Sequence, residues 1–219
     1  MQTIAIIDYG SGNLRSAAKA FERSSREAGV AADIQVTDDL GIIARADRIV
    51  LPGVGAFGDC RDGVERVQGL RETLEARVIR EAVPFLGICV GMQLMARAGF
   101  EHLTTEGFGW IDGEVHRIEP ADEDDGRQRK VPHMGWNVLS VQGGHHPVLA
   151  GLEDGHHAYF VHSYAMRLET ADQQLATVDY GGPICAMVGR DNMIGTQFHP
   201  EKSQATGLRL IANFIGWTP

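Results

Sequence analysis

Residues 83–93 read VPFLGICVGMQ and set the architecture of the chain. The apolar run Val83–Ile88 predicts a buried strand, and Cys89 stands between Gly87 and Gly91 where that strand ends. This pattern predicts a sharp strand–turn–helix elbow around a nucleophile. The two glycines have no Cβ, so the tight turn is sterically possible and a substrate can approach. We therefore expect the sulfur at the carboxyl edge of a sheet, where open α/β sheets bind ligands.

Cys89 is a candidate nucleophile, and its alternative role is structural. A helix that begins directly behind it would favour thiolate over thiol through its dipole and its free N–H groups. The N–H of Val90 would then be placed to donate to an oxyanion. A lone cysteine is often a small buried hydrophobic residue, and the elbow leaves that alternative open.

A thiol nucleophile needs a base, and the best candidate lies near the end of the printed sequence. Residues 195–203 read GTQFHPEKS. Pro200 disfavours helical backbone at His199, so this segment is expected to be extended. Side chains two residues apart in an extended segment lie on the same side, which would bring Glu201 beside the imidazole to orient it. A histidine near an acidic residue on a surface would look the same in sequence.

Apolar strands and helices alternate in the first half of the sequence. The predicted strands are Thr3–Asp8, Asp33–Val36, Arg48–Leu51 and Val83–Ile88. The apolar residues with helical spacing form two groups, Leu14, Ala17, Ala18 and Phe21, then Val64, Val67, Leu74 and Val78. Continuous apolar strands separated by helices indicate a parallel sheet that is covered on both faces.

The second half consists mostly of predicted strands joined by short turns. These strands are Ile111–Ile118, Val131–Leu139, His157–Met166, Leu175–Tyr180, Ile184–Val188 and Met193–Phe198. They predict an antiparallel or mixed extension of the same sheet, followed by a last helix over Gln204–Ile215. Residues 122–130 are predicted to form an exposed loop. The expected fold is a single α/β domain over residues 1–219, with a mixed, mostly parallel sheet flanked by helices.

Composition excludes several classes of function. The formal net charge of -9 argues against a broad nucleic-acid-binding face. No apolar run approaches the ~18 residues that span a bilayer, so no membrane association is expected. The three cysteines are scattered and have neither disulfide nor zinc-ligand spacing, which indicates a reducing, cytoplasmic location. The adjacent pairs His145-His146 and His156-His157 do not converge by spacing alone, and we predict no metal and no cofactor.

A glycine-rich segment, residues 53–58, imitates a nucleotide site. Its sequence GVGAFG matches the dinucleotide-binding pattern G-x-G-x-x-G. A true fingerprint follows the first strand and opens a helix directly, whereas this one follows the third predicted strand and comes directly after Pro52. We interpret it as a loop whose backbone N–H groups, notably that of Gly55, supply the second oxyanion donor. An ordinary tight turn is the alternative.

The full set of motifs resembles the class I, or triad, glutamine amidotransferases. The blocks that carry the resemblance are DYGSGN at 8–13, LPGVGAF at 51–57, the Cys89 elbow, PHMGWN at 132–137, YFVHSY at 159–164 and FHPEKS at 198–203. They span nearly the whole sequence. The elbow and the His-Pro-Glu segment mark the wider class. The Asp-Tyr-Gly and His-Met-Gly-Trp-Asn blocks resemble its histidine-pathway branch, the glutaminase subunits of imidazole glycerol phosphate synthase.

The resemblance implies a flavodoxin-like fold and a role for each matched residue. It implies a Cys-His-Glu triad that hydrolyses L-glutamine through a γ-glutamyl thioester, and a cyclase partner in a heterodimer that receives the ammonia. The implied triad is Cys89, His199 and Glu201. The implied glutamine contacts are Gln93, Glu101, Ser163 and Tyr164. The implied partner-facing residues are Asn13, Trp136, Tyr159 and Lys202.

Three other functions share part of this pattern. A thiol hydrolase or peptidase of similar fold would have the elbow but would not need the Asp-Tyr-Gly and His-Met-Gly-Trp-Asn blocks. A glutaminase subunit of another pathway would share the triad. A non-catalytic nucleotide- or partner-binding module would bury an inert Cys89.

Overall fold

The computed structural model of the protein describes residues 1–123, 126–142 and 146–219, and within them thirteen strands form two sheets. The strands are β1 (Gln2–Ile7), β2 (Ala32–Thr37), β3 (Arg48–Gly53), β4 (Phe85–Cys89), β5 (Ala98–Glu101), β6 (Leu103–Glu106), β7 (Gly113–Arg117), β8 (His133–Val141), β9 (His157–His162), β10 (Tyr164–Leu168), β11 (Gln174–Asp179), β12 (Pro183–Arg190) and β13 (Met193–Thr196). The α-helices are α1 (Leu14–Ala28), α2 (Leu40–Ile43), α3 (Phe57–Arg66), α4 (Leu70–Leu74), α5 (Val90–Gln93) and α6 (Gln204–Gly216). Residues 124–125 of the predicted loop and His145 lie outside the described residues.

The main sheet has nine strands, and one half of it is parallel. Its strand order is β2-β1-β3-β4-β13-β12-β11-β8-β9. The first five strands in this order are parallel neighbours, in the arrangement of a flavodoxin-like doubly wound sheet. Strands β1, β3 and β4 are almost wholly buried, as their continuous apolar sequences predict. The predicted α/β class is confirmed.

The other half of the main sheet is antiparallel and follows the predicted extension. Strands β13, β12, β11, β8 and β9 pair antiparallel with one another in that order. The turn between Asp179 and Pro183 joins β11 to β12, and Asp191, with φ +50°, lies in the turn between β12 and β13. Short turns therefore join these antiparallel strands, as the sequence predicts.

A second sheet of four strands corrects the prediction of a single sheet. Its order is β10-β7-β5-β6. The predicted strand His157–Met166 is wrong, because the backbone changes partners at Ser163: His162 pairs with His133 on β8, whereas Tyr164 pairs with Arg117 on β7. Strands β5 and β6 were not predicted from the sequence. They form a largely exposed hairpin whose alternation does not stand out against ordinary surface sequence.

The prediction of one continuous helix through Val64, Val67, Leu74 and Val78 is wrong, because two helices with a turn between them cover this segment. Helix α3 ends at Arg66, Val67 is extended, and Gly69 with φ +87° begins a new helix. That helix continues from α4 into a π-helical segment, Glu75–Arg80. Glycine adopts this left-handed conformation without strain. Gly69 therefore permits a turn at this point, although the apolar residues on both sides of it keep a helical spacing. Val64, Leu74 and Val78 are still fully buried.

Candidate active site

Cys89 lies in a strained elbow between β4 and α5. Its φ of +54° is unusual for a residue with a side chain. A Cβ at Gly91 would overlap the carbonyl oxygen of Leu51 on the neighbouring strand, and a Cβ at Gly87 would lie 2.7 Å from the carbonyl oxygen of Gly91. The glycines therefore let the elbow pack directly on β3. The cysteine is only 4% exposed.

The helix behind the elbow is shorter than the sequence indicates. Helix α5 ends at Gln93, and Leu94 and Met95 lie in a turn that leads the chain to the second sheet, where Arg97 N–H bonds to Gly113. The helix ends because the residues that follow it pair with strands of that sheet. A helix of four residues aligns few peptide dipoles, so the helix dipole is not the main reason to expect a thiolate here.

Strand pairing brings His199 to the same sheet edge as Cys89. Strand β13 lies parallel to β4, with Thr196 opposite Ile88, so the residues that follow both strands emerge side by side. The backbone at His199 is extended, with φ -93° and ψ 100°, as Pro200 requires. Its N–H donates to the Tyr159 carbonyl at 3.0 Å.

His199 and Glu201 form a buried pair. Nδ1 of His199 and Oε1 of Glu201 are 2.9 Å apart, and each side chain is 2% exposed. The predicted pairing is observed, but its geometric reason differs. Pro200–Lys202 is a 3₁₀ turn, so the carboxylate reaches the imidazole across a turn and not along an extended segment.

The electrostatics of the pair favour a protonated imidazole. Burial disfavours the charged form, but the Cys89 sulfur and the Glu201 carboxylate outweigh it and raise the pKa of His199 to about 9. No hydrogen bond of regular geometry reaches Nε2 of His199 within the described part of the chain. We therefore attribute the effect of the sulfur chiefly to its charge, and Nε2 is the imidazole atom that a substrate can reach.

A cavity of about 300 Å³ collects most of the predicted site residues. Its size lies at the lower end of the range for small-molecule sites, about 300–1,000 Å³. Glu201 lies behind His199 and does not line it. The lining includes Gly55, Cys89, Val90, Gln93, Glu101, Ser163, Tyr164 and His199, together with Val54, Pro132, Val161 and His162.

The predicted glutamine contacts have defined partners in the protein. Gln93 is 3% exposed, and its Nε2 donates to the Tyr164 carbonyl at 2.9 Å and to Oε1 of Gln197 at 3.0 Å. Oε2 of Glu101 accepts a hydrogen bond from the Phe57 N–H at 2.8 Å, at the start of α3. Both side chains are thus held in place at the cavity wall.

The glycine-rich loop is clamped by residues that the sequence did not identify. The Ser11 hydroxyl donates to the Val54 carbonyl at 2.8 Å and accepts from the Val54 N–H at 3.0 Å, and the Cys60 thiol donates to the same carbonyl at 3.3 Å. Gly55 follows with φ +98°. In the planar Val54–Gly55 peptide, the Gly55 N–H points opposite to that carbonyl. Burial raises the pKa of the Cys60 thiol.

A further missed residue contacts the sulfur itself. The Gln197 amide is fully buried and its Nε2 donates to Sγ of Cys89 at 3.7 Å. It stands two residues before His199, so the alternation argument that we applied to Glu201 in the sequence could also have indicated it. His162 and His133 were also missed. Their rings bond to each other at 3.0 Å, and His162 lines the cavity.

Three of the four predicted partner-facing residues form one cluster outside the cavity, in which Trp136 and Lys202 are exposed and Tyr159 is half-buried. Trp136 on β8 is 47% exposed and lies opposite Tyr159 on β9, with their rings 5.9 Å apart. The Lys202 ammonium is 5.7 Å from the Tyr159 ring. Asn13 directly precedes α1 and follows β1. Because β1 and β4 run parallel, the carboxyl end of β1 lies at the same edge of the sheet as the carboxyl end of β4.

The described residues contain neither a metal-binding group nor a membrane-spanning helix. Within residues 1–123, 126–142 and 146–219, no group of three or more His, Cys, Asp or Glu side chains could hold a metal ion. Across the part of the chain that the structure describes, no helix combines the length and apolar character that crossing a membrane requires. The predicted cytoplasmic location stays a prediction.

Comparison with known proteins agrees with this geometry. Residues 5–216 match the family model of class I glutamine amidotransferases. The subunit HisH of imidazole glycerol phosphate synthase from Rhodospirillum rubrum is 57% identical over 99% of both chains, and the same subunit from Brucella suis is 55% identical over 99% of both chains.

Solved structures support the fold. A crystal structure of a glutamine amidotransferase aligns with a TM-score of 0.69 at 19% identity, covering 98% of this chain and 99% of that one. A putative GMP synthase protein from Thermoplasma acidophilum aligns with a TM-score of 0.67 at 21% identity, covering 99% of this chain and 93% of that one. The chain therefore belongs to the class I glutamine amidotransferase family and, within it, to the HisH subunits of imidazole glycerol phosphate synthase.

Proposed function

We propose that this chain hydrolyses L-glutamine to glutamate and ammonia, with Cys89 as nucleophile, His199 as acid and base, and Glu201 as the residue that orients the imidazole. The observation that carries the proposal is the buried His199–Glu201 pair, at 2.9 Å, beside a cavity that Cys89 also lines. A buried carboxylate that raises the pKa of an imidazole next to a thiol is the arrangement that thiol-dependent acyl transfer needs.

In the first half-reaction, the Cys89 thiolate attacks the side-chain carbonyl carbon of glutamine. The carbonyl electrons move to oxygen, and the N–H groups of Val90 and Gly55 donate to the resulting oxyanion. His199, protonated below its pKa of about 9, gives its Nε2 proton to the amide nitrogen. The C–N bond breaks, ammonia leaves, and a γ-glutamyl thioester remains on the sulfur.

In the second half-reaction, neutral His199 takes a proton from water. The hydroxyl oxygen attacks the thioester carbonyl, and the same oxyanion donors act again. Collapse of this intermediate breaks the C–S bond and releases glutamate. Glu201 stabilises the imidazolium whenever it forms and fixes the tautomer of the neutral ring, because its carboxylate accepts a hydrogen bond from the Nδ1–H of His199.

The cavity wall supplies groups for the amino-acid end of glutamine. The Glu101 carboxylate is the partner we assign to the substrate ammonium. The Gln93 amide and the backbone at Ser163 and Tyr164 complete the contacts. All four residues line the same cavity.

The ammonia is passed to a cyclase subunit, with which the chain forms the heterodimer of histidine biosynthesis. The relatives, named as subunits of imidazole glycerol phosphate synthase, support this assignment. The cyclase then forms imidazole glycerol phosphate and an aminoimidazole carboxamide ribotide. Trp136, Tyr159 and Lys202 form a cluster at the surface. Trp and Tyr are side chains that carry much of the binding energy at interfaces, and we assign the cluster, with Asn13, to the cyclase-facing surface.

The test is glutamine-dependent and ammonia-dependent turnover of the reconstituted heterodimer. Cys89→Ala should abolish glutamine hydrolysis, while free ammonia still supports cyclisation. Cys185→Ala is the matched control, because burial raises the pKa of that thiol to about 12 and it lies in β12, outside the cavity lining. Full glutaminase activity in folded Cys89→Ala would refute the assignment of the nucleophile.

A further inference from the structure

A buried amide behind Cys89 has no role in the triad mechanism. Gln197 is 0% exposed, and its Nε2 donates to Sγ of Cys89 at 3.7 Å. At its other end, Oε1 accepts a hydrogen bond from Nε2 of Gln93 at 3.0 Å. The amide therefore joins the cavity wall to the sulfur.

The surrounding hydrogen bonds determine which end of the Gln197 amide faces the sulfur. The amino group of Gln93 donates both to the Tyr164 carbonyl, at 2.9 Å, and to Gln197. A reversed Gln197 would place two amino groups against each other and leave both donors unpaired, which is costly in a buried site. Only the orientation with the amino group towards Cys89 satisfies every partner.

A pair of histidines anchors this arrangement from the far side. The Tyr164 carbonyl also accepts from Nδ1 of His162 at 3.0 Å, so Nε2 of His162 accepts from Nδ1 of His133, at 3.0 Å. Nε2 of His133 in turn accepts from the Asn137 amide at 3.2 Å. Burial lowers the pKa of each imidazole to about 4, so both are neutral and the direction of every bond is fixed.

We propose that Gln197 is a positioning residue, whose buried amide donates to the Cys89 sulfur to favour the thiolate and to hold it at the cavity. The hydrogen-bond chain from Gln93 to His133 keeps the amide in this orientation. The inference rests on the proposed function, because it takes Cys89 as the nucleophile.

The physical basis is the preference of a donor for an anionic acceptor. A hydrogen bond to an ionised group is roughly twice as strong as one between neutral groups, so the amide stabilises thiolate more than thiol. Other groups also act on the sulfur. His199, Tyr9 and Cys60 interact with it electrostatically. They stay constant when Gln197 alone is changed, so a difference between variants isolates the amide.

The experiment is alkylation of Cys89 by iodoacetamide, followed by peptide mass spectrometry across a range of pH, in the reconstituted heterodimer. Gln197→Met removes the donor and keeps an unbranched side chain. Gln197→Leu removes the donor with a branched apolar side chain. Thr196→Val is the matched control, since Thr196 is equally buried on the same segment and its hydroxyl donates to the Phe198 carbonyl instead.

We expect both Gln197 variants to be alkylated about tenfold more slowly at neutral pH, equivalent to about 1.4 kcal/mol. The midpoint of their pH profile, which reports the coupled cysteine and histidine, should move to higher pH. Thr196→Val should keep the parental profile. If one Gln197 variant fails to fold, the other still decides the question.

The outcomes separate the two proposals. An unreactive Cys89 in the unaltered protein would remove the proposed function and this inference with it. A reactive Cys89 whose alkylation is unchanged in both Gln197 variants would overturn the inference alone. So would an equal slowing in Thr196→Val, because the effect would then be structural.

Discussion

Replacing Glu201 with glutamine removes one of the two groups, with the Cys89 sulfur, that hold His199 protonated, and it keeps the shape of the side chain. In the folded protein the pKa of His199 is raised from 6.5 to about 9, which corresponds to about 3 kcal/mol in favour of the imidazolium. The sulfur and the carboxylate supply this stabilisation against the cost of burial. Loss of the carboxylate therefore removes a share on the order of 1–3 kcal/mol, and the pKa of His199 should fall by about 1–2 units.

The expected consequence is slow catalysis with an altered pH dependence. Glutamine can offer its amino group to Nδ1 of His199 and stabilise the wrong tautomer, so kcat should fall by about 10²–10⁴-fold. The alkaline limit of activity should also move to lower pH, because imidazolium is needed to protonate the leaving ammonia. The assay is glutamine hydrolysis by the heterodimer across the neutral and alkaline range.

The chain contains a matched control for Glu201→Gln. Glu114 and His116 have the same separation in sequence and a contact of 3.1 Å, but their side chains are 36% and 31% exposed. Neither lines the cavity. Glu114→Gln should leave kcat and its pH profile unchanged. If Glu201→Gln, folded and bound to the cyclase, keeps the parental kcat and alkaline limit, our account of His199 is wrong.

Three further predictions follow from other parts of the structure. Burial lowers the pKa of His133 and His162 to about 4, so the unfolded chain binds more protons than the folded chain between about pH 4 and 6.5. The free energy of unfolding in urea should therefore decrease as pH falls through this window. The decrease should be about 3 kcal/mol for one imidazole that is neutral in the folded chain and protonated in the unfolded chain. Gly91→Ala places a Cβ against the Leu51 carbonyl oxygen and should destabilise the protein by about 1–3 kcal/mol in thermal denaturation. Trp136→Ala should weaken binding of the cyclase subunit by about 2 kcal/mol, measured by titration calorimetry, without changing alkylation of Cys89.

Each of these has a clear contrary result. Unfolding free energies that are equal at neutral and acidic pH would argue against neutral, buried imidazoles. Gly216→Ala is the control for the glycine, because an added Cβ there meets no atom within 4 Å, and equal stability of both variants would contradict the packing argument. Unchanged affinity in Trp136→Ala would remove that side chain from the proposed interface.

The sequence by itself determined the parallel half of the sheet and the elbow. The continuous apolar runs that became β1, β3 and β4 are buried, since a strand that is covered on both faces consists mostly of apolar residues. Gly87 and Gly91 around Cys89 likewise permit a sharp elbow in which a Cβ at either position would clash, and that elbow is observed. These features depend on neighbours along the chain, which a sequence displays directly.

Only the tertiary structure decided which strands share a sheet and which polar residues share a pocket. The division at Ser163, the second sheet and the early end of α5 all follow from pairing between distant segments. Burial also separates the His199–Glu201 pair from the equally spaced Glu114–His116 pair, which is exposed to solvent. A charged pair gains strength when water is excluded, and the exclusion of water is a property of the whole packed chain, not of any segment of its sequence.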